Sequence, residues 1–254
     1  MRKLLISLLA ILTIAAMPAY ATNLATAPIG RMDIGWWQAR FQQTLAAKKV
    51  DPNARIVWLG DSITQFWQRE STLGYDNILP VWMKYYAPYN ALDFGFVGDT
   101  TSSLIWRLDH GQVSGLHPAL TIILIGANNL GHTHWGADLT VPGIETVVTK
   151  TETLLPDTHI LLLGVLPSIR SAWVDAQTRA INADLAAAYT HDQQVTFIDV
   201  SPVLTQHGKT DASLYIDPKL DPPGPALHPD ANGMARIAAY IAPTVERYAG
   251  VPGK

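Results

Sequence analysis

The chain has 254 residues, 48% of them hydrophobic and 15% charged, with a formal net charge of -3. That length suits one sizeable core, and with no run of basic or acidic residues there is no footprint for nucleic acid and no solvating tail. Cysteine is absent, which excludes a disulfide framework, a thiolate nucleophile and a lipoprotein anchor.

Residues 1–3, Met-Arg-Lys, form a short basic start, residues 4–17 an apolar stretch, and residues 19–21, Ala-Tyr-Ala, a small-x-small pattern. This reads as a secretory signal peptide cut after Ala21, because the apolar stretch falls short of the roughly 20 residues of a membrane span. The expected product is a periplasmic or secreted protein whose residues 22–254 form a single domain. No later segment is long and apolar enough for stable membrane insertion.

Beyond residue 22, apolar runs alternate with amphipathic stretches. Residues 55–59, 91–95, 119–125, 159–164 and 195–199 read as strands. Their polarity is continuous rather than alternating, as in strands covered on both faces. Helical patterns occupy residues 36–47, 81–86, 101–108, 141–155, 174–189 and 232–248. This alternation predicts an α/β fold, a three-layer α/β/α sandwich with a mostly parallel five-stranded sheet. Right-handed crossovers then gather the C-terminal strand ends on one edge, where ligands bind in such sheets. The long segment 206–229, rich in Pro, Asp and Gly, is the sort of loop that is more often functional than idle.

Four short blocks fall at that edge. Gly60-Asp61-Ser62 follows the first strand, Gly98-Asp99 the second, and Gly126 and Asn128 the third, while His228-Pro229 precedes the last helix. Each alone is weak: a helix cap, a turn glycine, a loop amide, a polar loop residue. All four in this order resemble the SGNH hydrolases, also called the GDSL esterase superfamily, whose named residues are Ser, Gly, Asn and His. The phrases LGDSIT, GDTTSSLIWRL, IGANNLG and LLGVLP resemble the subgroup typified by the catalytic subunits of platelet-activating-factor acetylhydrolase.

The resemblance implies a flavodoxin-like sandwich and a serine esterase without cofactor or metal. Ser62 would be the nucleophile and His228 the general base. The N–H groups of Ser62 and Gly98 with the side-chain amide of Asn128 would form the oxyanion hole. One position departs from the family: the residue three before the histidine, usually Asp, is Pro225. The imidazole needs a partner on its far nitrogen. A backbone carbonyl holding a Ser-His dyad is preferred slightly, with Asp221 the leading carboxylate and Asp217 less easily placed. Asp230 is expected to serve the entry of the last helix.

Asp61 is expected to be structural, Asp99 to hold the Gly98 loop, and Arg107 to pair with a carboxylate inside the fold. His132 and His134 lack a third ligand for a metal site. Trp135 and Trp173 are expected on the active-site side, as candidate walls of a substrate groove. The expected activity is hydrolysis of short-chain, above all acetyl, esters on a small molecule or an acetylated polysaccharide. The alternatives are a lysophospholipase or lipid esterase, and a catalytically weak carbohydrate-binding accessory protein.

Overall fold

The computed structural model describes residues 22–221 and 223–250; the expected signal peptide, residues 1–21, lies outside them. Five parallel strands form the sheet: β1 (Ile56–Gly60), β2 (Leu92–Gly95), β3 (Leu120–Leu124), β4 (His159–Leu163) and β5 (Val195–Ile198). Their spatial order is β2-β1-β3-β4-β5. The helices are α1 (Gly35–Val50), α2 (Ser62–Gln65), α3 (Leu79–Tyr85), α4 (Thr101–Asp109), α5 (Ala127–Gly131), α6 (Ala137–Leu154), α7 (Ala172–Ala188), α8 (Ser201–Leu204) and α9 (Ala231–Ala249).

The two faces of the sheet separate with the period of two that a strand imposes. Ile56, Trp58, Ile122, Leu161 and Leu163 pack with Trp82 of α3, Leu204 of α8, and Met234 and Ile237 of α9. Val57, Leu59, Ile123, Ile160 and Leu162 pack with Leu104 of α4, Val147 of α6, and Ile181 and Leu185 of α7. Burial on both sides is why the strands read as unbroken apolar runs. Helix α1 lies beside the edge strand β2, where Trp37 and Phe41 close over Phe96. The expected sandwich and parallel sheet are therefore what the chain forms.

Helix α6 begins about a turn before the expected residue 141, with Pro142 one turn inside it. The segment expected as a long loop carries a small hairpin, β6 (Thr205–Gln206) against β7 (Lys209–Thr210). Farther on it folds back on itself through a bridge between Tyr215 and Pro229. No helix among the described residues is long and apolar enough to cross a membrane.

The order 2-1-3-4-5 reverses direction between β1 and β3. A crevice opens at the carboxyl ends of strands where such a reversal occurs. Ser62 and Asn128 flank that point.

Candidate active site

Ser62 is the first residue of α2, two residues past the end of β1. Asp61 caps this helix, its Oδ1 accepting from the Ile63 N–H at 2.9 Å. So sharp a turn from strand to helix needs space on the neighbouring strand. Gly95 supplies it: a Cβ there would stand 2.1 Å from the Gln65 nitrogen. Ser62 is 3% exposed, and as an N1 residue its N–H has no partner within the helix.

His228 Nε2 lies 2.8 Å from Ser62 Oγ. Its Nδ1 donates to Asp217 Oδ1, and Phe66 packs on the ring at a centroid distance of 4.6 Å. Asp217 Oδ2 accepts from the Leu227 N–H at 2.5 Å, and Tyr75 Oη stands 3.4 Å from Oδ1. Burial pushes the Asp217 carboxyl up, but the His228 hydrogen bond, the imidazole charge and the Leu227 N–H outweigh it and leave it below its ordinary value.

Two expectations about the imidazole are thereby corrected. The carboxylate against it is Asp217, not Asp221, and no backbone carbonyl takes that place. The reason is the local antiparallel pairing. Ile216 N–H donates to His228 O and Asp230 N–H to Leu214 O, each at 2.8 Å. This sets Asp217 across from His228 although they are eleven residues apart. Asp221 is exposed, on the excursion between the paired ends. Asp230 caps α9, accepting from the Gly233 N–H at 2.7 Å, as expected.

Opposite the serine, Gly98 adopts φ +73°, a left-handed conformation that a side chain resists. Its N–H has no hydrogen-bond partner in the protein among the described residues. Asn128 Nδ2 donates to Asp99 O at 2.9 Å and keeps only a long contact, 3.4 Å, to Asp61 Oδ2. Ser62, Gly98, Asn128 and His228, far apart in sequence, thus meet at one sheet edge.

Beneath them lies a buried network. Arg107 Nε donates to Asp99 Oδ2 at 2.9 Å, while its Nη1 and Nη2 donate to Phe94 O and Gly60 O, also at 2.9 Å. Asp99 Oδ1 accepts from Trp37 Nε1 at 2.7 Å and from Arg31 Nη1 at 3.2 Å. One buried pair therefore ties together the carbonyl before the serine turn, the end of β2 and the Gly98 loop. Burial draws the Arg107 guanidinium down to about 10, so it stays charged at neutral pH, helped by Asp99. Asp61, also buried, is pushed up to about 7 by its burial, against the lowering effect of the Ile63 N–H.

Trp173 opens α7, is 39% exposed, and stacks on His134 at 5.6 Å. Trp135 is half-buried, its N–H donating to Asn129 O at 2.8 Å. A cavity of about 760 Å3 runs along α7 and β5, lined by Ser168, Asn182, Phe197 and Lys209 among others, and includes neither Ser62 nor His228. The geometry around the nucleophile identifies the site better than this void does.

The model of the GDSL-like Lipase/Acylhydrolase family matches residues 58–236, well over half of the chain. The protein belongs to that family. As a GDSL-like acylhydrolase it is a carboxylic ester hydrolase. Among its relatives is the alpha1 subunit of platelet-activating factor acetylhydrolase IB from Bos taurus, 27% identical over 184 residues, which cover 71% of this chain and 74% of that protein. Among solved structures, a GDSL-like lipase from Bacteroides thetaiotaomicron superposes with a TM-score of 0.64 at 18% identity, covering 82% of this chain and 98% of the other. A carbohydrate acetylesterase from Sinorhizobium meliloti gives 0.56 at 17% identity, covering 76% and 98%. These two share the fold.

Proposed function

We propose that this GDSL-like acylhydrolase is an exported acetylesterase that removes O-acetyl groups from a carbohydrate through a Ser62 acyl-enzyme. The observation that carries the catalytic part is the continuous contact from Ser62 Oγ through His228 to Asp217. Ser62 Oγ attacks the ester carbonyl carbon while His228 Nε2 takes its proton. Asp217 holds the Nδ1 proton in place and stabilises the imidazolium. The carbonyl oxygen, now negative, accepts from the Ser62 and Gly98 N–H groups and from the Asn128 amide hydrogen that is only loosely engaged with Asp61. The C–O bond to the alcohol breaks, and the leaving oxygen takes the proton from His228. Water, deprotonated by the same imidazole, then releases acetate and restores the serine.

The carbohydrate part rests on the expected signal peptide, on the exposed indole of Trp173 stacked on His134, six residues beyond Asn128, and on the carbohydrate acetylesterase among the fold neighbours. A lipid ester is the second reading, favoured by the relatedness to the platelet-activating factor acetylhydrolase subunit. The accessory-protein reading rested on the missing carboxylate at position 225, and Asp217 beside His228 removes that support.

The test is hydrolysis of aryl acetate, butyrate and octanoate beside Ser62→Ala and His228→Ala, followed by acetate release from acetylated xylan. Acetate preference, loss of turnover in both variants and release from the glycan are expected. Activity that rises with acyl length would favour the lipid ester. Full activity in Ser62→Ala would sink the acyl-enzyme.

A further inference from the structure

Two arginines outside the catalytic set flank the site with part of their hydrogen-bonding capacity unused. Arg31 lies on the Gly98 side: a Cβ at Gly98 would stand 3.2 Å from Arg31 Nη1. Nη1 bonds Val97 O at 3.0 Å and Asp99 Oδ1 at 3.2 Å. Among the described residues, Nε and Nη2 of Arg31 have no hydrogen-bond partner. Arg170 lies on the opposite side, beside the base: its Nη2 is 3.8 Å from Asp217 Oδ2. That is an ion pair too long for a hydrogen bond. Its Nε is buried with no partner. The side chains remain 26% and 29% exposed.

Neither charge is cancelled where it stands. Asp99 is shared between Arg31 and the fully buried Arg107. Asp217 is already occupied by His228 and the Leu227 N–H. Both guanidinium charges also reach His132, one residue beyond α5. Burial first, then Arg170 and Arg31, hold its imidazole below its ordinary value. Both arginines thus bring only partly compensated guanidinium groups to the site edge.

The spacing suits a polymer. Gly98 follows β2 and Arg170 follows β4, which are three strand intervals apart in the sheet order. At about 4.8 Å per interval the two strand ends stand roughly 14 Å apart, with β1, which leads into Ser62, between them. Arg31 lies over Trp36, 5.2 Å from the ring centroid, and Trp173 follows Arg170 by three residues. Trp36 is 48% exposed and Trp173 39%. An indole face packs on a sugar ring, and a guanidinium pairs with a carboxylate through two parallel hydrogen bonds.

We propose that Arg31 and Arg170 bind carboxylates of an acidic, uronate-bearing glycan, and so select O-acetylated polyuronates over neutral acetylated glycans. This rests on the carbohydrate acetylesterase reading above and narrows its substrate.

The experiment compares kcat/KM for acetate release from an O-acetylated polyuronate oligosaccharide and from an O-acetylated neutral xylo-oligosaccharide of equal length. It is run at low and high salt on the purified protein and on the Arg31→Gln, Arg170→Gln and Arg170→Lys variants. The wild type should prefer the polyuronate at low salt and lose most of that preference at high salt. Each Gln variant should lower the polyuronate-to-xylan ratio by roughly ten- to a hundredfold, chiefly through KM, the worth of a hydrogen bond to a charged group. Arg170→Lys should keep part of the preference. Equal wild-type rates on both glycans without salt dependence would overturn the carboxylate sites and leave the deacetylase intact. A kcat loss shared by both glycans, with their ratio unchanged, would make Arg170 a positioning residue for Asp217 instead. No acetate from either glycan, with aryl acetate still turned over, would instead defeat the carbohydrate reading itself.

Discussion

At His228 the chemistry depends on one carboxylate eleven positions away, and the two acids of that loop differ sharply in environment. Asp217 is half-buried and touches Nδ1, whereas Asp221 is exposed on the loop's excursion. Asp217→Asn keeps the shape but offers the imidazole an amide in place of a charge. It should lower kcat on aryl acetate by about three to four orders of magnitude, as loss of a triad carboxylate does elsewhere. Asp221→Asn should stay within about twofold, as surface changes do. Equal losses in the two variants would contradict the assignment. Asp217 was difficult to find from sequence because the usual spacing, one helical-turn length before the histidine, is taken by Pro225. The pairing of residues 214–216 with 228–230 is a tertiary fact with only a weak local signal, the apolar pair Tyr215-Ile216 just before the acid. Ser62, Gly98 and Asn128 stood out in the sequence because each lies within four residues of the end of a strand.

Elements place those residues through contacts that tolerate little change. Helix α2 starts so close to β2 that Gly95→Ala drives a methyl into the Gln65 backbone. Backbone cannot swing aside as a flexible side chain can. The variant should lose about 1–3 kcal/mol of stability, the usual range for overpacking, and more kcat than KM because Ser62 moves with its helix. Thermal melts and Michaelis curves on aryl acetate check both. Helix α4 contributes differently, by sending Arg107 under the ends of two strands, β1 and β2. Arg107→Met leaves Asp99 buried with only Trp37 and the partly exposed Arg31 to compensate it, and should cost about 3–5 kcal/mol. Adding Asp99→Asn should restore part of that loss, since the stranded charge goes with it. A double variant no more stable than Arg107→Met would show that the guanidinium acts through Phe94 O and Gly60 O rather than through the ion pair. The sequence placed the five strands and the helices α1, α3, α4, α6, α7 and α9 to within a few residues. Runs buried on both faces and long amphipathic helices are the patterns that local reading recovers best. The short pieces, α5 and the β6–β7 hairpin, were not visible, being held by tertiary contacts rather than by their own periodicity.

Across the whole molecule, buried carboxyls set how stability answers to pH. Asp61 is pushed up to about 7 and Asp93 to about 6, in both cases chiefly by burial. In the unfolded chain an Asp titrates near 3.9. Between that value and the folded one, the native state holds more protons than the unfolded state, so stability falls as pH rises. Asp217 has the opposite sign: its stabilisation is present above its unfolded value and is lost only on acidification through a lower folded one. The windows therefore separate. Between pH 5 and pH 8 the lowered imidazoles of His132 and His159 act in the opposite sense to the raised acids, so the contribution of Asp61 is read as a difference between wild type and variant. Asp61→Asn retains an oxygen for the Ile63 N–H but cannot ionise. The melting-temperature difference, wild type minus variant, should therefore shrink from pH 5 to pH 8, whatever its value at pH 5, because only the wild type must bury a growing charge. A difference constant across this range would mean that Asp61 is already ionised at pH 5, held so by Asn128 and the Arg107 charge. The same carboxyl caps the helix that carries the nucleophile, so that result would also place a permanent negative charge directly behind Ser62.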